Sequence, residues 1–254
     1  KSAEHSHVEV DFFGGEPLMN WPVVIETMQY ACAAYPEKMW RFTLTTNGSL
    51  LREDMFPILE QYDVSVVLSL DGGRVTNDAN RVFKDARGTF DTVVQRLRQF
   101  TTTREDGGYF VRGTYARNTL RFSQSVRELH EEGFRFISME PVVLSADSAI
   151  ALRDNDLPAI RSEYEALISY FISELHAGTG FEFFHFKVDL AAGPCVSKRI
   201  YGCGAGVEYL AIAPDGGIFP CHQFDGLEQY KMGNVLENPT NPRPDLSSTF
   251  AQAN

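Results

Sequence analysis

The chain has no excess of positive charge: 23 Lys and Arg against 34 Asp and Glu leave its 254 residues with a formal net charge of −11. That balance argues against a nucleic-acid-binding surface as the main business of the protein, although a local basic groove remains compatible with it. Long apolar runs are also missing. None approaches the length of a membrane span, and the opening residues do not have a signal-peptide layout. Histidine is sparse, with six residues scattered along the chain and no HExxH pattern. Cysteine is sparser still. Four residues are few for a disulfide scaffold, so a reducing, cytoplasmic setting is expected. There are no internal repeats. What is present is an ordinary globular composition, 43% hydrophobic and 22% charged, long enough to bury a large core. The chain starts at Lys1 without a methionine and stops at Asn254 after a Pro/Asn/Ser-rich stretch, so it reads as a piece of a longer protein.

Strand and helix patterns alternate. Val8 to Phe13 reads as a strand of β-branched and aromatic residues that breaks into Gly14-Gly15-Glu16-Pro17. Trp21 to Ala34 carries apolar residues at helical spacing, with Cys32 expected as a small buried hydrophobe. Further strands are predicted at 41–46 (RFTLTT), 64–70 (VSVVLSL), 109–115 (YFVRGTY) and 134–140 (FRFISME). Helices are predicted at 53–62, from an N-cap at Thr89 through Phe100, at 122–132, and at 157–176 with Pro158 near the first turn. A polar loop follows Asp71-Gly72-Gly73, with Asp78 and Arg81 as a loop-ordering pair. Five βα alternations imply an α/β fold with a parallel sheet and right-handed crossovers. The boundary between this core, residues 1–180, and an appendage, 181–254, is expected near residue 180, where the composition changes. The phenylalanines at 181–186 read as core, and 209–213 with 218–219 as a β-hairpin turned at Pro214–Gly217.

The strands end in GGEP, TTNG, SLDGG, RGTY and MEP, so every C-terminal end is polar or carries glycine. In parallel α/β folds that rim is where ligands bind. Each residue alone fits an ordinary turn equally well, but five such ends in succession point to a site. Glu16, Asn47, Ser69, Asp71 and Arg112 are its candidates: carboxylates and amides suit the amine and hydroxyls of a polar ligand, and an arginine suits its carboxylate. Gly14 and Gly15 would let the backbone approach a ligand, and Pro17 suits the first turn of the next helix. In the last quarter, Cys195, Cys203 and Cys221 crowd beside glycines. Such thiolates accept a soft metal or an iron–sulfur cluster, with free or structural thiols as the alternative reading.

GGEPL after a strand, TTNG, SLDGG, VRGT and CGAGVEYLAIAPDGGIFPCH together resemble a radical SAM enzyme with a SPASM-type extension. VDFFGGEPLMNW, FTLTTNGSLL, FHFKVDL, GPCVSKRIYGCGAGVEYLAIAPDGGIFPCHQF and MGNV resemble, more narrowly, the SCIFF-type peptide maturases, which form thioether cross-links in a six-cysteine peptide. The resemblance implies a partial (β/α)6 barrel with its first strand missing, followed by a truncated SPASM appendage. It implies that Gly14, Gly15, Glu16 and Pro17 hold the methionyl amino end of S-adenosylmethionine. Ser69, with Asn47 and Asp71, would face its ribose, Arg112 its carboxylate, and the backbone at Pro141-Val142 its adenine. Cys195, Cys203 and Cys221 would ligate an auxiliary [4Fe–4S] cluster. The partners implied are a cysteine-rich precursor peptide and a cellular electron donor such as flavodoxin or ferredoxin, with no nucleic acid and no membrane.

Two departures bear on activity. The CxxxCxxC set that holds the catalytic cluster is absent, and so are the later SPASM cysteines. The chain alone is therefore expected to be inactive, while the intact parent would generate a 5′-deoxyadenosyl radical and cross-link a cysteine to another residue of the peptide. One alternative is an anaerobic sulfatase-maturating, formylglycine-forming enzyme. The residue after Cys221 is His222 rather than a carboxylate, which favours cross-linking. The other alternative is a non-catalytic peptide-binding domain.

Overall fold

In a computed structural model, residues 5–104, 107–187, 204–237 and 243–252 are described. The chain divides into two compact units, 1–187 and 188–254. The first unit is built on a six-stranded, wholly parallel sheet whose strands follow one another in sequence order. They are β1 (His7–Phe12), β2 (Met39–Thr46), β3 (Ser65–Ser69), β4 (Tyr109–Tyr115), β5 (Phe136–Pro141) and β6 (Glu182–Phe183). Helices α1 (Trp21–Ala34), α2 (Phe56–Gln61), α3 (Arg74–Asn80), α4 (Phe90–Thr101), α5 (Phe122–Glu131) and α6 (Leu157–Ala177) lie between them.

One face of the sheet is apolar. Phe42 and Leu44 of β2, Val66 and Leu68 of β3, Val111 of β4, and Ile137 and Met139 of β5 form one buried cluster. Met28 of α1, Leu59 of α2, Val93, Leu97 and Phe100 of α4, Val126 and Leu129 of α5, and Leu167 of α6 complete it. These strand residues alternate in period two, so the intervening residues must point the other way. Across that second face, Thr43 pairs with Ser65, Ser69 with Arg112, Arg112 with Ser138 and Thr114 with Glu140. Parallel sheets normally read as near-continuous apolar runs because both faces are covered. Here the second face carries these polar residues from β2 to β5 beside the apolar Val67 and Phe110, and its polar positions suit a ligand better than a second layer of packed helices. Gly113 lets β4 sit tight in this sheet: a methyl there would come within 2.6 Å of Met139 Cε and 3.0 Å of the Leu70 carbonyl oxygen.

Three expectations are corrected. The sheet has six strands rather than five. Two residues, Glu182 and Phe183, carry too little pattern to read as a strand, and of the phenylalanines expected as core Phe181 and Phe183 are buried whereas Phe184 is 51% exposed. The polar stretch after Gly73 is the helix α3, whose fully buried residue is a polar Asn77 and whose Val75 is exposed, so it shows no apolar periodicity. Asp78 does not pair with Arg81. Its carboxylate accepts from the backbone N–H of Phe90 at 2.9 Å and so caps α4 from a distance. Thr89 occupies the N-cap position, but its hydroxyl donates to the Arg81 carbonyl instead.

The second unit holds a small antiparallel sheet, β7 (Ala211–Ile212), β8 (Gly217–Phe219) and β9 (Gly233–Asn234), with helix α7 (Pro244–Gln252). The expected hairpin is β7–β8, turned through Gly216 at φ 83°. Phe250 of α7 packs its ring on Phe224.

Candidate functional site

The turn after β1 is organised by one carboxylate. Glu16 has extended backbone and caps the 3-10 turn Pro17–Asn20 by accepting from the N–H of Leu18 at 3.1 Å on Oε1. The same oxygen accepts from Thr46 Oγ1 at 2.7 Å, and Oε2 accepts from the N–H of Asn47 at 2.8 Å. Glu16 therefore fastens the end of β1 to the end of β2. An ionised carboxylate offers about four lone-pair positions, and these three bonds leave one on Oε2. Gly14, at φ 115°, adopts a conformation that favours glycine, and a methyl on either Gly14 or Gly15 would meet nothing within 4 Å. Bare backbone thus opens beside a carboxylate with one acceptor position left.

The remaining expected residues divide by position. Ser69 and Arg112 are paired in register on the polar face, and Arg112 is exposed with no ion pair among the described residues. Asn47 donates its backbone N–H to Glu16, while its side-chain oxygen accepts from Ser49 N–H at 2.8 Å. Val142 is half-buried and donates its N–H to the Tyr115 carbonyl at 2.9 Å. Asp71 is 4% exposed, and protein groups engage both its oxygens: Arg81 binds in fork geometry at 2.8 and 2.9 Å, and Thr114 N–H donates at 2.9 Å. Asp71 therefore ties the β3–α3 turn to β4. Of the cysteines, Cys195 and Cys203 lie outside the described residues. Cys221 is half-buried at the start of a 3-10 turn, and its Sγ accepts from the N–H of Gln223 at 3.4 Å. Tyr209 hydroxyl lies 3.3 Å from His222 Nδ1. Cys32 packs half-buried against the main core.

Two groups on this rim have no counterpart among the expected residues. Thr46, at 1% exposure, lies in the buried phase of β2 and both donates to Glu16 and accepts from Gly48 N–H at 3.1 Å. A polar residue in an apolar phase at a strand's end needs partners, and that was its legible signal. Glu140, at the end of β5, accepts from Ser138 Oγ at 2.6 Å and lies 3.1 Å from His185 Nε2. His185 Nδ1 in turn lies 2.9 Å from the Tyr164 hydroxyl. Behind Tyr164, burial first, then the neighbouring Tyr164 and the Glu140 charge push the Tyr115 hydroxyl up to about 12. Tyr164 itself is raised, chiefly by burial.

The family model for a 4Fe–4S single cluster domain matches residues 1–90, a segment whose single cysteine is Cys32. The chain is 23% identical over 231 residues to the antilisterial bacteriocin subtilosin biosynthesis protein AlbA of Bacillus subtilis, covering 89% of this chain and 46% of that protein. It is 21% identical over 225 residues to the radical SAM cyclopropyl synthase TigE of Paramaledivibacter caminithermalis, covering 88% of this chain and 46% of that protein. The chain thus spans about half the length of the curated relatives it matches. Among solved structures, native anSMEcpe with bound AdoMet and Kp18Cys peptide superposes with a TM-score of 0.75 at 18% identity, over 98% of this chain and 71% of that one. Together with the parallel sheet and its polar rim, these matches show that the chain has a radical SAM/SPASM-type fold.

Proposed function

We propose that this chain is the S-adenosylmethionine- and peptide-binding part of a radical SAM enzyme that modifies peptides, and that the modification is a thioether cross-link in a six-cysteine peptide. The observation that carries the reading is the one acceptor position left on the Glu16 carboxylate beside bare Gly14-Gly15, together with Arg112 on the polar face of the same sheet, which has no ion pair among the described residues. A free amino acid end needs an acceptor for its ammonium and a fork-shaped donor for its carboxylate, and these two side chains supply them. The likeness to TigE, a radical SAM synthase, supports the radical SAM part, and the likeness to AlbA, a bacteriocin biosynthesis protein, and the fold shared with a peptide-bound structure support the peptide part.

S-adenosylmethionine and iron–sulfur clusters, when bound, supply the radical and electron-transfer chemistry that no side chain can. This chain's residues do the holding. Gly14 and Gly15 admit the ligand to backbone contact, Glu16 takes its ammonium, Ser69 and Asn47 stand near its hydroxyls, and the backbone at Val142 flanks its base. Asp71 acts one step back, fixing the turn between β3 and α3 by its bonds to Arg81 and Thr114. Cys221, with a backbone N–H already directed at its sulfur, fits a thiolate ligand, and Cys195 and Cys203 would join it as three ligands of an auxiliary cluster, one short of a four-cysteine set. A flavodoxin or ferredoxin would deliver the electron.

The test is anaerobic incubation of the full-length protein with S-adenosylmethionine, a reductant and a synthetic six-cysteine peptide. Loss of two hydrogens with one fewer alkylatable thiol is the expected outcome. Conversion of a cysteine to formylglycine, the alternative reading of the sequence, would sink the cross-linking assignment.

A further inference from the structure

Glu140, His185 and Tyr164 take no part in the Glu16 turn or in the Asp71–Arg81 pair. Glu140 pairs with Thr114 in register, in the phase of Ser138 and Arg112, so its carboxylate belongs to the polar face of the sheet. It is held there firmly. Ser138 Oγ donates to Oε1 at 2.6 Å, and His185 Nε2 stands 3.1 Å from both carboxylate oxygens.

The chain behind it has a fixed direction. Glu140, as a carboxylate, can only accept, so His185 Nε2 carries the hydrogen that lies between them. A neutral imidazole with its hydrogen on Nε2 accepts at Nδ1, so the Tyr164 hydroxyl, 2.9 Å away, donates to it. Every proton has one acceptor, and the sequence of bonds ends on the carboxylate. His185 has both ring nitrogens engaged and none free to take a proton from a ligand, so it is a positioning residue. Glu140 has acceptor capacity beyond Ser138 and His185. No Lys or Arg forms an ion pair with it among the described residues. A carboxylate fixed in this way and lacking a cation calls for an N–H donor from outside. It lies at the β5–β6 end of the sheet, whereas the ammonium acceptor Glu16 lies at the β1–β2 end.

We propose that Glu140 is an anchor for an N–H donor of the bound peptide, a backbone amide or a basic side chain, and that His185 and Tyr164 position it. This rests on the peptide-modifying reading above.

The test is calorimetric titration of the full-length protein with the six-cysteine peptide and, separately, with S-adenosylmethionine. Glu140→Gln is expected to weaken peptide binding about tenfold, the loss of one charge-assisted hydrogen bond, and to leave S-adenosylmethionine binding unchanged. His185→Phe should reproduce most of that loss. His185→Gln, which keeps an N–H toward Glu140, should recover it, and a purely structural role for His185 would not show that rescue. Nitrogen-15 spectra of the free protein should show His185 as the Nε2–H tautomer, and an Nδ1–H tautomer overturns the direction of the chain. Equal peptide binding by wild type and Glu140→Gln overturns the anchor while the peptide reading stands. Weaker S-adenosylmethionine binding also overturns it, by giving the carboxylate to the cofactor. A peptide that fails to bind the wild type overturns both readings. Should Glu140→Gln not fold, Ser138→Ala, which removes one of the bonds that hold the carboxylate, gives the second measure, and unchanged peptide affinity there counts against the anchor.

Discussion

Replacing Glu16 by alanine removes the group that joins the ends of β1 and β2, and the loss can be worked from its partners. Three donors are released together: Thr46 Oγ1, Leu18 N–H and Asn47 N–H, at 2.7, 3.1 and 2.8 Å. A hydrogen bond to a charged group contributes about 1.5–3 kcal/mol, and a buried donor left without a partner loses the most. Thr46, at 1% exposure, has no water to turn to, whereas Asn47 is half-buried and regains part of its bond from solvent. The expected cost is therefore about 3 kcal/mol rather than the full sum of three charged bonds. For a chain of this size that lowers Tm by roughly 6–12 °C. Glu16→Gln should cost about 1–2 kcal/mol, because the amide oxygen can replace Oε1 but its NH2 then faces the Asn47 N–H, donor against donor. Urea unfolding followed by circular dichroism measures both. In the full-length protein the rise in Tm with saturating S-adenosylmethionine should shrink for either variant, because a ligand stabilises only the fold that binds it. A Glu16→Ala variant within about 0.5 kcal/mol of wild type, or a Gln variant costlier than the Ala one, would refute the reasoning.

Asp71→Ala should cost about 3 kcal/mol in the same assay, because it strands the Arg81 guanidinium and the Thr114 N–H; a cost near zero would show the pair to be ornamental. Gly14→Ala and Gly15→Ala separate conformation from space: neither methyl meets an atom within 4 Å, so only Gly14, at φ 115°, should destabilise, by about 1–2 kcal/mol. Equal losses at the two positions would contradict that account. Tyr115, with its hydroxyl raised from 10.0 to about 12, is expected to contribute stability that is full below pH 10 and lost as pH climbs towards 12, where the unfolded chain gives up the proton that the folded one retains. The alkaline limb of a pH–stability curve should flatten in Tyr115→Phe, and an unchanged limb would assign the loss to other groups.

Much of the fold was legible because its elements have strong periods. Trp21–Ala34 and Tyr109–Tyr115 stand where the apolar spacing put them, and the polar strand ends pointed to one rim of a parallel sheet. What escaped had no local signal. Two residues of β6 are too short to show period two, and α3 turns its buried face on the polar Asn77 rather than on a leucine. At the site, the turn glycines and Glu16 announced themselves as a motif and Thr46 showed as a polar residue in a buried phase, but nothing local said that the two would meet across 30 residues.

The same reasoning explains why the Glu140 chain could not be read in advance, and what could have been. His185 meets Glu140 across 45 residues and Tyr164 across 21, distances that only the sheet and α6 close. The alternation inside each strand, however, was already written. In a parallel sheet covered on both sides, Ser65, Ser69, Arg112, Ser138 and Glu140 would each carry a desolvation cost, and they share one phase. Aligning the strands by their apolar phase would have placed all five on a single face before any coordinate was known. A buried sheet has no use for such a face, and a sheet that holds a ligand in the way proposed above requires one. The polar phase, more than any single motif residue, is therefore the sequence's clearest statement of where binding occurs.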